Sequence, residues 1–385
     1  MTILLILARI AKELSSVHLI PVKGKLLRVL RILNYSSEYL ITLYNSTKNA
    51  IFVLIYLTKE SVLKVFFLIF IMSIGSVTTH AQKRNFQLKM KRVKRTFKAI
   101  PKSLIDEVKN ADLIALGKKL YFEKKLSVNN SISCNSCHQV DNFGVDNEPT
   151  SPGHEGKRGG RNSPTTFNAA FHISQFWDGR AKDLAAQAIG PILNPVEMGM
   201  PNEAAVISKL SKIKSYVTDF KKAFPGKEKS LTYPNIGMAI AAYEKTLITP
   251  SRFDDFLNGD ENALTFQEKR GLKKFMGKGC ATCHRGVALG GDHYFKIGLV
   301  NEYKTKDMGR FEVTKRDGDQ KVFKVPSLRN IMKTGPYFHD GSVKTIDAAI
   351  ELMAHHQLGQ KVGPGFIEDV KAFFTSLTTN KKFNK

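Results

Sequence analysis

Apolar positions along this chain follow two recurring patterns and one exception. Between Asn235 and Tyr243 (NIGMAIAAY) they recur three and four residues apart, and the same spacing runs through Glu203 to Ala223 and Pro234 to Leu247. That period places them on one face of an α-helix. Shorter helical stretches end at Lys119-Leu120-Tyr121-Phe122 and at Gly271-Leu272-Lys273-Lys274-Phe275-Met276, and each leads into a pair of cysteines. Between such stretches, Gly/Pro/Asn-rich segments at 147–168 and 190–202 read as long loops, which in compact domains usually carry function. Strand-like alternation is scarce, so a mainly α fold is predicted, built from a repeated unit of helix, cysteine pair and loop.

The exception is Val65 to Met72 (VFFLIFIM), an unbroken apolar run extended by Ile74 and Val77. Lys59 and Lys64 precede it and Thr79-His80-Ala81 follows it. A basic start, a short apolar centre and small residues before the cut describe a secretory signal peptide cleaved after Ala81. The run is shorter than the roughly 20 residues that span a bilayer. A retained membrane anchor is the alternative. Residues 1–81 are therefore read as an upstream extension plus signal peptide, the true start lying near residue 57–64. Residues 82–100 form a basic leader. Thr249-Pro250-Ser251 breaks the helical pattern and divides the rest into 101–248 and 249–385.

Charge changes this picture only at the leader. The formal net charge is +25, and eight basic residues with no acid fall between Lys83 and Lys98. This reads as a solvated, mobile segment, with attachment to an anionic membrane face or an acidic redox partner as the sharper alternative. Export excludes nucleic acid as a partner. An apolar share of 42 % with 24 % charged residues is too polar for a multi-span membrane protein.

The four cysteines are the informative residues. They form Cys134-Asn-Ser-Cys137-His138 and Cys280-Ala-Thr-Cys283-His284. Cys-x-x-Cys-His is the c-type haem attachment pattern: two thiols one helical turn apart bond the porphyrin, and the next residue ligates iron. A zinc site would want the cysteines closer in sequence, and a redox dithiol would not be followed twice by His. Two covalent haem c groups are expected, with His138 and His284 as ligands.

The sixth ligand separates a carrier from an enzyme, because an iron that reacts needs a ligand that can leave. His154 sits among Gly153, Gly156, Gly159 and Gly160, on backbone that moves cheaply. Trp177, the only tryptophan, lies in Phe176-Trp177-Asp178-Gly179-Arg180. Glu197 lies in Asn194-Pro195-Val196-Glu197-Met198, where apolar and proline neighbours would raise a carboxyl pKa toward neutrality.

In this order the motifs resemble those of the bacterial dihaem cytochrome c peroxidases. The likeness adds Arg161-Asn162-Ser163-Pro164-Thr165, Thr334-Gly335-Pro336-Tyr337-Phe338-His339-Asp340-Gly341 and Leu352-Met353, and runs from about Ala115 to Leu377. It implies two tandem cytochrome-c-like domains with one haem each. His138 would be the proximal ligand of the peroxide-reactive haem, and His154 its removable distal ligand. Glu197 would be the acid–base residue and Trp177 would lie between the haems. His284 and Met353 would ligate the electron-accepting haem. A calcium ion would be held by the side chain of Asn162 and the backbone carbonyls of Thr334 and Pro336. A related branch that modifies tryptophans of a partner protein has Tyr at the distal position, so Met353 favours the peroxidase branch. The short stretch after Leu377 predicts weak packing of the tail on the first domain.

The resemblance thus implies reduction of hydrogen peroxide to water in the periplasm, with electrons from a small cytochrome c or cupredoxin, by a homodimer. The rivals are an oxidase or modifying enzyme of the same fold and a non-enzymatic dihaem electron carrier.

Overall fold

The computed structural model describes residues 27–35, 38–45, 50–53, 88–101 and 110–383. The chain divides into two compact units between Gln87 and Leu88. In the first unit, β1 (Leu27–Tyr35), β2 (Glu38–Asn45) and β3 (Ala50–Val53) pair antiparallel in that order, a sheet the helical reading did not anticipate. The apolar run at 65–77, the cut after Ala81 and the start near 57–64 lie outside the described residues. Among those described, no helix is long and apolar enough to cross a membrane.

The second unit is mainly helical. In chain order it contains α1 (Met90–Thr96), α2 (Ala111–Tyr121), α3 (Cys134–Cys137), α4 (Leu184–Leu193), α5 (Glu203–Ser211), α6 (Lys214–Ala223) and α7 (Tyr233–Glu244). There follow α8 (Arg252–Asn258), α9 (Phe266–Lys278), α10 (Phe311–Thr314), α11 (Ile346–Leu358) and α12 (Pro364–Ser376). A two-stranded ribbon, β4 (Tyr294–Lys296) with β5 (Val322–Lys324), completes it. The helix starts are written locally: Asn110, Asp183, Asn202, Thr232, Thr265 and Thr345 each accept a first-turn N–H.

Among the described residues two large hydrophobic cores form, with two smaller clusters beside them. One gathers Leu116 and Leu120 of α2 with Ile236 and Ile240 of α7; the other gathers Leu272 and Phe275 of α9 with Val370 and Phe373 of α12. Each is organised by one helix crossing at a glycine. A Cβ on Gly117 would overlap the carbonyl of Ala239, and one on Gly271 would overlap that of Asp369. Beside these contacts stand Tyr243 and Phe373, each 3.0 Å from where that Cβ would lie. The glycines are what let the helix backbones touch.

The loops repeat as closely as the helices. Asn168 and Asn330, Phe176 and Phe338, and Gly179 and Gly341 all have positive φ, and each pair is 162 positions apart (330 − 168, 338 − 176, 341 − 179). The isolated bridges Gln175–Ala181 and Tyr337–Val343 and the caps Asp183 and Thr345 keep the same offset. Thr249 joins the halves. It is fully buried, and its hydroxyl accepts from the side-chain amides of both Asn168 and Asn330 (2.5 and 2.9 Å).

Four expectations are corrected. The described part of the basic leader is packed rather than solvated: Val93 and Phe97, four residues apart, share one face of α1 and are 1 % exposed. Phe97 meets Phe253 edge-on, and the Ile100 amide donates to Asp254 (2.8 Å). The 190–202 loop starts later, because α4 runs through Pro191 to Leu193. Buried Ala188 and Ile192 anchor its final turn, where proline forfeits one hydrogen bond. The helix expected over 203–223 is two helices, divided at Ile213, whose backbone is extended and whose side chain packs on the first core. The tail packs on that core too: Phe383 lies 4.8 Å from Phe167, and Lys381 Nζ donates to Ile248 (3.3 Å).

Candidate haem centres

The first cysteine pair opens on a serine. Ser133 and Ser136 form a capping box that winds α3 as one helical turn, and the His138 amide closes it on Cys134 (3.0 Å). Both thiols are free. Burial pushes each up, that of Cys137 to about 11, so they stay protonated rather than acting as metal-binding thiolates. His138 is held by its backbone: the Tyr121 hydroxyl donates to its carbonyl (2.7 Å) and also meets Thr166 (3.1 Å). Burial lowers the His138 pKa and keeps its imidazole neutral. Its Nδ1 is sealed from solvent without a hydrogen-bond partner. A neutral imidazole with an unspent nitrogen beside two thiols fits a haem c iron ligand.

The two loops suspected of chemistry meet. The His154 amide donates to the Glu197 carbonyl (2.8 Å), and His154 Nε2 lies 3.3 Å from the Pro195 carbonyl. The contact needs glycine on both sides, since a Cβ on Gly153 would strike the Val196 carbonyl and one on Gly199 would strike the His154 ring. Asn194 donates its side-chain amide to Glu197 Oε1 (2.9 Å). Burial raises the Glu197 carboxyl, while Arg180 and Asn194 oppose that rise. The charge of Glu197 in turn raises both Cys134 and Cys137, so this carboxyl is close enough to act on the first attachment site.

The second pair lies on a cavity of about 230 Å³. Cys280, Cys283 and His284 line it together with Met353 of α11 and Trp177. His284 Nδ1 lies 3.2 Å from the Leu289 carbonyl, which spends one ring nitrogen and leaves Nε2. Burial takes this imidazole down to about 4, so it too is neutral. An imidazole and a thioether on one mostly apolar cavity fit the His/Met pair of an electron-accepting haem. Trp177 donates its indole N–H to the Asn162 carbonyl (2.9 Å). Arg161, ion-paired to Asp178 and to Asp307 (2.6 Å), ties that loop down.

Asn162, Thr334 and Pro336 line the same cavity. The Asn162 amide donates to the Glu148 and Pro149 carbonyls (3.0 and 3.2 Å). Asn147, which sequence reasoning passed over, reaches the Lys333 and Gly335 carbonyls (3.1 and 2.6 Å). An amide and backbone carbonyls are donors suited to a hard cation. Among the described residues no three His, Cys, Asp or Glu side chains converge on a metal position, so the two cysteine pairs do not combine into a zinc site.

Three further groups stand out, two of which, Glu244 and Lys324, escaped the sequence reading. Glu244 is 4 % exposed at the end of an apolar helix, and burial raises its carboxyl to about 8. Its charge acts on Tyr121 and Cys134. The others are Lys324, which is buried, and His172, which is half-buried, both on the cavity wall. A lone acid closing NIGMAIAAYE was the one available signal; nothing local marks Lys324.

Two Cys-x-x-Cys-His sites, each with a neutral imidazole, in a helical fold of two repeated halves, define a c-type cytochrome with two attachment sites. Residues 111–262 match the family description "Di-haem cytochrome c peroxidase". The chain is 49 % identical to the cytochrome c551 peroxidase of Pseudomonas aeruginosa over 269 residues, 68 % of this chain and 78 % of that one. It is 46 % identical to the cytochrome c551 peroxidase of Nitrosomonas europaea (70 % and 80 %) and 34 % identical to the methylamine utilization protein MauG of Methylorubrum extorquens (68 % and 72 %). Among solved structures, a MauG-like protein associated with microbial copper homeostasis superposes with a TM-score of 0.64 at 27 % identity, over 74 % of this chain and 93 % of that one. The chain belongs to the di-haem cytochrome c peroxidase family, and that membership implies two haem c groups.

Proposed function

We propose that this protein reduces hydrogen peroxide, one peroxide taking two electrons and two protons to give two waters, in the periplasm, with a small cytochrome c or cupredoxin as electron donor. Its relatives named cytochrome c551 peroxidase support the reaction. Haem c supplies the redox-active iron when bound. Cys134, Cys137 and His138 would hold the peroxide-reactive group, and Cys280, Cys283, His284 and Met353 the electron-accepting one. His154 would be the removable ligand of the first group, and Trp177 would lie between the two. Asn162, Thr334 and Pro336 would hold a calcium ion, and the active form is a homodimer.

Glu197 carries the reading. Its charge reaches both cysteines of the first attachment site, its segment is bonded to that of His154, and burial raises its carboxyl pKa above its ordinary value. A group so placed takes the proton from the inner oxygen of peroxide and returns it to the outer one, which then leaves as water. Asn194 aims the carboxyl by donating to Oε1. Glu197→Gln keeps that shape and removes the base. It should lower kcat by about two to four orders of magnitude with haem content unchanged. Steady-state peroxide assays with a reduced cytochrome measure this; near-normal turnover would remove Glu197 from the reaction.

A further inference from the structure

The repeat that relates the two halves also relates two sets of residues on the cavity wall. Adding 162 carries Asn162 to Lys324, His172 to Thr334 and Ser174 to Pro336. The expected calcium ligands Asn162, Thr334 and Pro336 therefore have a mirror set in Lys324, His172 and Ser174. In the mirror set, however, the amide is replaced by an ammonium.

Lys324 ends β5 and is 6 % exposed. Its amide donates to the Trp177 carbonyl (2.7 Å), and its Nζ donates to the Ser174 carbonyl (2.9 Å) and to His172 Nδ1 (3.2 Å). A His172 Nδ1 that accepts leaves the hydrogen on Nε2, and Nε2 is sealed from solvent with no partner. Among the described residues no carboxylate pairs with Lys324. Asp178 is the acid that acts on it through space, and Asp178 already pairs with Arg161 and Arg180. A buried ammonium with no paired carboxylate, beside a sealed Nε2–H with no acceptor, is costly unless an anion completes them. Burial depresses Lys324 to about 7, as expected of an ammonium that lacks its anion.

We propose that Lys324 and His172 form a carboxylate-binding site that takes a propionate of the haem on Cys280 and Cys283, a fixed cation standing where the other half offers a metal-ion site. The inference rests on the di-haem reading above. His172 comes from the first half and Lys324 from the second, so the bound carboxylate is gripped by both, while the Ser174 carbonyl holds the ammonium in place.

Removing the lysine charge leaves the carboxylate uncompensated beside the iron and favours its oxidised form. In the full-length holoprotein, Lys324→Gln should shift the reduced-to-oxidised ratio of the second haem about tenfold toward oxidised at a fixed applied potential, which is about 59 mV for one electron. His172→Phe should move it about threefold the same way, and Lys324→Arg should stay within twofold of the parent. The first haem should stay within twofold in all three. Optical spectroelectrochemistry reads both haems. An unchanged ratio in Lys324→Gln and His172→Phe, or an equal shift of both haems, overturns the proposal. Parent protein without two haems per chain would overturn the di-haem reading instead, which keeps the two failures apart.

Discussion

The two halves of the haem-bearing unit share a frame and differ at the positions that face chemistry. In the frame, α4 begins after Asp183 and α11 after Thr345, so position 191 answers to position 353. The second half has Met353 there, on a helix that continues to Leu358 and lines the cavity with His284. The first half has Pro191, and its helix ends two residues later. Where one half carries a thioether, the other turns away and brings Glu197 to the cysteine pair. The α7 and α12 helices show a second exchange. Gly117 and Gly271 set the register through Ala239 and Asp369, which are 130 positions apart (369 − 239), and the same step from Glu244 lands on Phe374. Phe374 lines the second cavity, so the first half has a buried acid at an equivalent aromatic position. The repeated frame thus carries a thioether on the cavity in one half and a carboxyl near the cysteine pair in the other, and under the proposed function the first serves to hold electrons and the second to move protons.

That contrast can be broken most severely at Met353. Met353→Ala removes the thioether proposed as second-haem ligand and should lower donor-supported turnover on the order of a hundredfold, along with the potential of that haem. Potentiometric titration checks the second effect. A potential equal to the parent's would mean that the two halves do not differ by this ligand.

Glu244 sharpens the contrast through pH. Its carboxyl has a higher pKa folded (about 8) than unfolded (4.5), so the folded chain holds the extra proton between those values. Its contribution is full below about pH 4.5 and is lost as pH rises toward 8, at about 1.4 kcal/mol per pH unit within the window. Glu244→Gln should flatten that part of the stability–pH curve, whereas Phe374→Leu in the other half should leave the slope as it is. Urea unfolding from pH 5 to pH 8 measures both; equal slopes in the parent and in Glu244→Gln would show that Glu244 is ionised throughout.

The smallest expected effect tests what the halves share. Gly117→Ala and Gly271→Ala each force a methyl against a backbone carbonyl of the partner helix. Each should cost about 2–3 kcal/mol of unfolding free energy, the upper part of the overpacking range. A large difference between the two would show that the helix crossings are not equivalent.

Much of this was legible before any tertiary contact was known. The cysteine pairs and the helices before them are local patterns, and local patterns survive in sequence. Pairings across long separations were not legible. Lys324 meets His172 across 152 residues, and the described part of the leader packs beside Phe253 instead of remaining in solvent. Its basic residues drew attention, while two apolar positions four apart decided where it went.

By itself, then, the order of residues determined where porphyrin could be attached and which half bore a candidate thioether, because covalent spacing and helical period act within a few residues. Only the folded chain decided that His154 is bound to the Glu197 segment, that Glu244 is buried where its charge acts on Cys134, and that Lys324 and His172 share a wall without a paired carboxylate. Those facts depend on desolvation and on groups distant in sequence becoming neighbours, which no local pattern encodes.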